Sequence, residues 1–167
     1  MGGQRYYSFQ KKDVEFLALD RNYMDPQQLA WIENQLKSSD AKWKICFFHH
    51  PMFTDATFHG PDLDLRKQLM PLFIQYGVNL VLSGHEHVYE HVKPQNGVYL
   101  FIVGNSGELR IHNIQPNNEI DQFGFDTDRD FMIMEISENE LYFQTISRTG
   151  VTFDSGELDW QSEVKAK

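Results

Sequence analysis

Cysteine is nearly missing from these 167 residues, and Cys46 stands alone. No internal disulfide framework can form, so the fold must rest on its core. Cys46 lies in an apolar run and reads as a buried, inert thiol. No apolar run is long enough to cross a bilayer, and Met1 to Gln10 lacks the apolar stretch of a secretory signal. Gly2 is not a myristoylation signal, because Tyr6 stands where Ser or Thr is needed. The chain as given is therefore expected to be cytoplasmic, without a membrane partner, although a longer parent could be secreted. Positive charge is scarce as well: 15 Lys and Arg against 24 Asp and Glu leave a net charge of −9. That balance disfavours nucleic acid and anionic membranes. A bound cation could still attract a phosphate locally.

What is present argues for a packed core: 41% of residues are hydrophobic and 14% aromatic. The length suits one domain, expected over 1–160, that buries roughly 70% of the unfolded chain's surface. The tail 161–167 is expected to fray. Tyr6 to Phe9 reads as a possible edge strand, and Val14 to Asp20 as a buried one. Asp25 before Pro26, with Gln28 three positions on, gives a helix start with a capping-box partner. Leu29, Ile32 and Leu36 recur at helical spacing until about Lys37. Trp43 to His49 is the next strand, closed by Pro51. A loop from Met52 to Pro61 leads to a second helix, from about Asp62 to Tyr76. Gly77 should cap it, and Pro71 should kink it or split it. Val78 to Leu82 is a buried strand ending at Ser83-Gly84.

This order, strand-helix-strand-helix-strand, predicts an α/β fold with a parallel βαβαβ unit. Val98–Val103, Phe131–Ile136 and Leu141–Ser147 are strand-like, Val151–Phe153 is a further short strand, and 137–140 reads as a hairpin turn, so antiparallel strands are expected after the parallel unit. The polar stretch from Ile111 to Asp130 reads as a long loop.

Parallel neighbours put His49, His85 and His87 at one carboxyl edge, where open α/β sheets gather their chemistry. Gly84 is expected to supply the sharp turn before them. Three neutral imidazoles can hold a Zn²⁺-like ion and leave a position open for water. His50 and His91 flank the same place, where substrate contact and plain surface placement are both open. His59 and His112 are assigned to loops with no role in the site.

Tyr6-Tyr7-Ser8-Phe9, Leu17-Ala18-Leu19-Asp20, Gln28-Leu29-Ala30-Trp31-Ile32, Trp43-Lys44-Ile45-Cys46-Phe47-Phe48-His49-His50-Pro51 and Ser83-Gly84-His85-Glu86-His87-Val88-Tyr89-Glu90 resemble the calcineurin-like metallophosphoesterases, in particular the purple-acid-phosphatase-like branch. An arginine commonly follows that last motif; here His91 does. The resemblance implies half of an α/β/β/α sandwich and a phosphoester substrate cleaved by a metal-bound hydroxide. It also implies two metals, of iron, manganese or zinc, in the whole family domain, with His49 and His85 on one and His87 on the other.

The family's earlier motifs, Asp-x-His or Asp-x-Gly, Gly-Asp-x-x-Asp/Tyr and Gly-Asn-His-Glu/Asp, do not precede Phe47. The chain therefore resembles the C-terminal half of the domain, with the aspartates missing. Two divalent ions about 3.5–4 Å apart would repel by on the order of 18 kcal/mol at an effective dielectric of 20. Neutral histidines do not offset that, so one metal at most is expected. No residue is assigned as catalytic on this chain alone. Three readings stay open: a phosphatase fragment needing its missing N-terminal half, a non-catalytic histidine-based metal-binding or interaction module, or a structural half-domain. The missing half also predicts a bare sheet face carrying Phe16, Ile45, Phe47 and Val81, covered by a second copy in a homodimer. The alternative cover is the strands of 131–147 folding back.

Overall fold

The computed structural model describes residues 5–115 and 119–160, so the terminal fray expected at 161–167 lies outside the described residues. The order of elements is β1 (Tyr7–Lys11), β2 (Val14–Ala18), α1 (Pro26–Ser38), β3 (Trp43–Phe47), α2 (Leu63–Gln75), β4 (Leu80–Ser83), β5 (Tyr89–Gln95), β6 (Val98–Val103), β7 (Asp121–Phe125), β8 (Asp130–Ile136), β9 (Glu140–Ser147) and β10 (Thr152–Asp159). Seven strands form one sheet in the order β1-β2-β3-β4-β6-β5-β7, and three form another in the order β10-β9-β8. The parallel centre is β2, β3, β4 and β6. Antiparallel β1 closes one side, and β5 and β7 close the other. The expected α/β class, with a parallel unit followed by antiparallel strands, is the one observed.

Local chemistry sets the helix ends. The Asp25 carboxylate accepts from the Gln28 N–H at 2.8 Å, capping α1. Gln28 does not complete the capping box. Its buried amide turns instead to the end of β2, accepting from Asp20 N–H and donating to the Asp20 and Tyr23 carbonyls. Asp62 caps α2 in the same way as Asp25 caps α1. α2 runs unbroken through Pro71, so the expected split does not occur, and Gly77 follows the last turn at φ +67°.

One face of the large sheet packs on the helices, through Leu17, Cys46, Val81 and Leu100 against Ile32, Leu36, Leu69 and Phe73. The other packs on the small sheet, through Trp43, Ile45, Leu80 and Phe101 against Leu141, Phe143 and Leu158. The face expected to be bare is therefore covered by the chain's own late strands, and Ile45 is 1% exposed. Val81 points the opposite way from Ile45: Phe16, Ile45 and Leu80 are aligned across the ladder, one residue out of phase with Val81. The reason for a homodimer through that face is removed.

The expected loop from Ile111 to Asp130 contains a strand, β7, and β10 is longer than the three residues anticipated. The hairpin at 137–140 is present, with Ser137 N–H donating to the Glu140 carbonyl at 2.8 Å.

Phe143 anchors the small sheet, 1% exposed and 4.9 Å from the Phe101 ring. Phe143→Ala is expected to cost about 3–5 kcal/mol in urea denaturation. Tyr142→Ala, on the half-exposed outer face, should stay within about 0.5 kcal/mol.

Candidate active site at the histidine edge

The site lies where β3 and β4 end side by side. Pairing continues past both strands: Phe48 N–H donates to the Leu82 carbonyl at 3.2 Å, and Gly84 N–H to the His49 carbonyl at 3.0 Å. Those bonds bring residues 36 positions apart into register. His49 Nε2 and His85 Nδ1 are 3.1 Å apart. The turn that aims His85 is made by His85 itself, at φ +68°. Few non-glycine residues adopt that region, and such outliers concentrate at functional sites.

Gly84 is not the glycine this turn depends on. A Cβ there would meet only ordinary contacts, at 3.9 and 4.0 Å, and its φ is not positive. The indispensable one is Gly104, after β6, whose Cβ would lie 1.9 Å from the Glu86 carbonyl oxygen. A strand must pass directly under the histidine motif, and only glycine leaves room.

Two further imidazoles crowd His85. The His50 ring is 3.9 Å away and the His59 ring 4.1 Å. Sequence reasoning left His59 in a loop with no part in the site, and it is a neighbour of the central histidine. Two glutamates of the histidine motif place it. Glu86, fully buried, accepts from His59 N–H at 2.7 Å, Gly60 N–H at 2.8 Å and the Asn113 amide at 2.9 Å. Glu90, also fully buried, accepts from Thr54 Oγ1 at 2.5 Å, Asp55 N–H at 2.7 Å and Ala56 N–H at 3.1 Å. Burial raises its pKa, and hydrogen bonds with the Asp121 side chain, Thr54 and the Asp55 backbone oppose the rise. Nothing in the spacing of Phe58-His59-Gly60 announces this, because the loop is held by tertiary bonds.

His87 Nδ1 is 3.5 Å from the Glu108 carboxylate and makes no hydrogen bond. His91 is 5% exposed between the two sheets, stacked 4.5 Å from Phe101, with Nδ1 3.1 Å from Asp154 Oδ2. Tyr89 donates to the same oxygen at 2.6 Å. His91, expected either at the surface or against substrate, is instead buried and ties β5 to β10. His112 is exposed in its loop, as expected. Beside His49 a cleft of about 780 Å³ opens between the strand ends and the small sheet, lined by Leu19, Phe48, Ser83, Met132 and Met134 among others.

Two of the imidazoles, His50 and His85, suit a metal in protonation. His50 is held down to about 4, by burial first and then by the charges of His85, Arg21 and His49, with Asp62 opposing. His85 is lowered too, by burial and then by His59 and His49. Neutral nitrogen is what a metal takes. Buried Nδ1 atoms of His50 and His87 have no hydrogen-bond partner. In arrangement the fit is partial: among the described residues, no group of three or more His, Cys, Asp or Glu side chains is placed to hold an ion.

Helices on one face of a mixed sheet, a second sheet on the other, and histidines at the carboxyl ends of parallel strands define a metallophosphoesterase-type fold. The profile of the calcineurin-like phosphoesterases matches residues 2–89, and the chain belongs to that family. It is 30% identical over 129 residues to human tartrate-resistant acid phosphatase type 5, covering 74% of this chain and 39% of that protein. A purple acid phosphatase from yellow lupin seeds superposes with TM-score 0.81 at 22% identity, over 92% of this chain and 32% of that one. GAP50, the anchor in the inner membrane complex of Plasmodium, superposes with TM-score 0.79 at 18% identity, over 95% of this chain and 54% of that one. This chain thus spans about two fifths of the human phosphatase's length.

Two outcomes are expected. Gly104→Ala should destabilise by more than about 3 kcal/mol, because backbone must move, whereas Gly84→Ala should cost about 1 kcal/mol or less; thermal melts compare them. The second concerns His50. The unfolded imidazole takes a proton below its usual 6.5, while the folded one resists until about 4. Folding therefore weakens as pH falls through that window, and His50→Asn should flatten the loss in urea titrations at pH 7, 5.5 and 4.5.

Proposed function

We propose that this chain is the C-terminal, histidine-bearing part of a metal-dependent phosphoesterase acting on phosphomonoesters. The observation that carries the reading is the His49–His85 contact at the carboxyl edge of adjacent parallel strands. Family membership and the likeness to acid phosphatases support it. His49 and His85 would hold an iron, manganese or zinc ion, with His87 the candidate donor to a second site. A bound ion would polarise the phosphoryl group and activate water. His50 and His59 flank His85 and would orient a phosphate through their ring nitrogens.

Activity of the part alone is not proposed. The edge brings nitrogen donors, and the one carboxylate paired with them here, Glu108 beside His87, is largely exposed, too little to offset a second cation, so the complementary half of the domain is required as a partner. A non-catalytic metal-binding or interaction module is the second reading, favoured by the absence among the described residues of a three-ligand cluster.

Metal content and turnover on a generic phosphomonoester, with added Mn²⁺, Fe²⁺ or Zn²⁺, test the proposal. The chain alone should bind one equivalent at most, lost in His49→Ala and His85→Ala, and turn over far below the usual range of about 1–10³ per second. Turnover should appear on adding a polypeptide that supplies the family's aspartate motifs. Metal binding that survives both substitutions would defeat the assignment. Binding without turnover in the complemented complex would favour the module.

A further inference from the structure

Two acceptors are left without a donor where the end of β6 meets the start of β8. Asn105, fully buried one residue after Gly104, donates from Nδ2 to the Asp128 carbonyl at 2.9 Å and to Asp130 Oδ2. A carbonyl can only accept, so the nitrogen must face Asp128 and the orientation of the amide is fixed. That leaves Asn105 Oδ1 and Asp130 Oδ1, both buried and, among the described residues, without a hydrogen-bond partner. Asp130 is 4% exposed, so this chain's own residues close the seam. Buried acceptors with no donor are costly.

One proton satisfies both. On Asp130 Oδ1 it turns that atom into a donor, and the remaining acceptor of the amide is Asn105 Oδ1. Carboxyl and amide are then joined twice, by Nδ2–H to Oδ2 and by O–H to Oδ1. An ionised Asp130 keeps only the first of these bonds. The charged and titratable groups around it are Asp128 on its own segment, held 2.5 Å from Arg148 at the end of β9, and Tyr89 on β5, whose hydroxyl both Asp130 and Asp154 of β10 act upon. Burial raises the Asp130 pKa to about 6; the Asn105 bond opposes the rise and the Asp128 charge adds to it.

We propose that Asp130 and Asn105 form a proton-closed clamp between the small sheet and the end of β6. Their chain neighbours Ser106 and Phe131, with Met132, line the cleft beside His49. In acid the clamp is fastened and fixes that wall of the cleft. When the proton leaves, one of the two bonds is lost and Asn105 Oδ1 faces a carboxylate, so the wall loosens. The clamp lies wholly within this chain and does not depend on the phosphoesterase reading.

Carboxyl and methionine-methyl NMR of the full chain from pH 4 to 8 test it. The Asp130 carboxyl carbon should titrate near 6, above the ordinary 3.8, and the Met132 methyl should shift with the same midpoint. In Asp130→Asn the new amide can donate to Asn105 Oδ1 and accept from Nδ2 with no proton to lose, so the Met132 methyl should stay at its acid position throughout. His50 also titrates in this range, and it is untouched in that variant. Stability follows the same sign: the folded carboxyl keeps its proton up to about 6 while the unfolded one gives it up near 3.8, so this contribution is full in acid and is lost as pH rises between the two. Asp130→Asn should remove that slope. Should the variant fail to fold, the wild-type carboxyl titration decides, together with the Asn105 side-chain amide protons, which should shift with the same midpoint. An Asp130 midpoint at the ordinary value would overturn the proposal. So would a Met132 methyl that moves as far in Asp130→Asn as in the wild type. A midpoint that falls on adding K⁺ or Ca²⁺ alone would also overturn it, by placing a cation between the two oxygens where the clamp needs a proton.

Discussion

The arrangement of the histidine edge depends on one buried carboxylate. Glu86 has no exposed surface, and its two oxygens accept from the backbone of His59 and Gly60 and from the Asn113 amide. An unpaired carboxylate there would be far too costly to bury, so the three donors are a condition of the fold and not an embellishment. Because Glu86 lies between His85 and His87, the loop it captures is delivered to the metal-ligand candidates themselves. Glu90, one helical-looking interval later but on a strand, repeats the device with Thr54, Asp55 and Ala56. The histidines and the loop over them are thus fixed by the same seven-residue stretch.

A second constraint is the pairing of two sheets that share no strand. Among the polar ties across a mostly apolar contact, the small sheet supplies Asp154 to Tyr89 and His91. Burial and that carboxylate push the Tyr89 hydroxyl's pKa up, keeping it a donor. Where the family's pattern commonly has an arginine, this chain has a histidine small enough to lie flat on Phe101 between the layers. A guanidinium's five donors could not all be satisfied by one carboxylate in that space.

The parts that rest on local chemistry were legible in the sequence. The helix cap at Asp25, the start of the second helix near Asp62, the strands that deliver His49 and His85, and their parallel pairing follow from turn chemistry, periodicity and connection length. The strands that escaped share a physical cause. β5 contains Pro94 and absorbs it with a register shift between Val92 and Gln95. β7 contains Gly124, where a Cβ would lie 2.9 Å from Ile114, and β10 contains Gly156, where one would lie 2.9 Å from Phe143. Each is a breaker by propensity and a close-approach residue in the fold. His59 escaped because only Glu86's hydrogen bonds place it, and Gly104 because its neighbour is a carbonyl 18 positions away.

The same accounting of hydrogen bonds explains why nitrogen alone reaches the site. Carboxylates are plentiful nearby, but each is engaged elsewhere. Asp55 accepts from Ile120 and Asp121 N–H, Asp126 from Asn113 and Ile114 N–H, and Asp62 from Leu65 N–H and Arg21. Glu86 and Glu90 hold the loop. Glu108 approaches His87 but is largely exposed, where water screens its charge. Redirecting any of the buried acids toward a cation would orphan two or more backbone donors, at about 1–3 kcal/mol each. Among the described residues, these buried acids are thus committed to holding the backbone around the histidines.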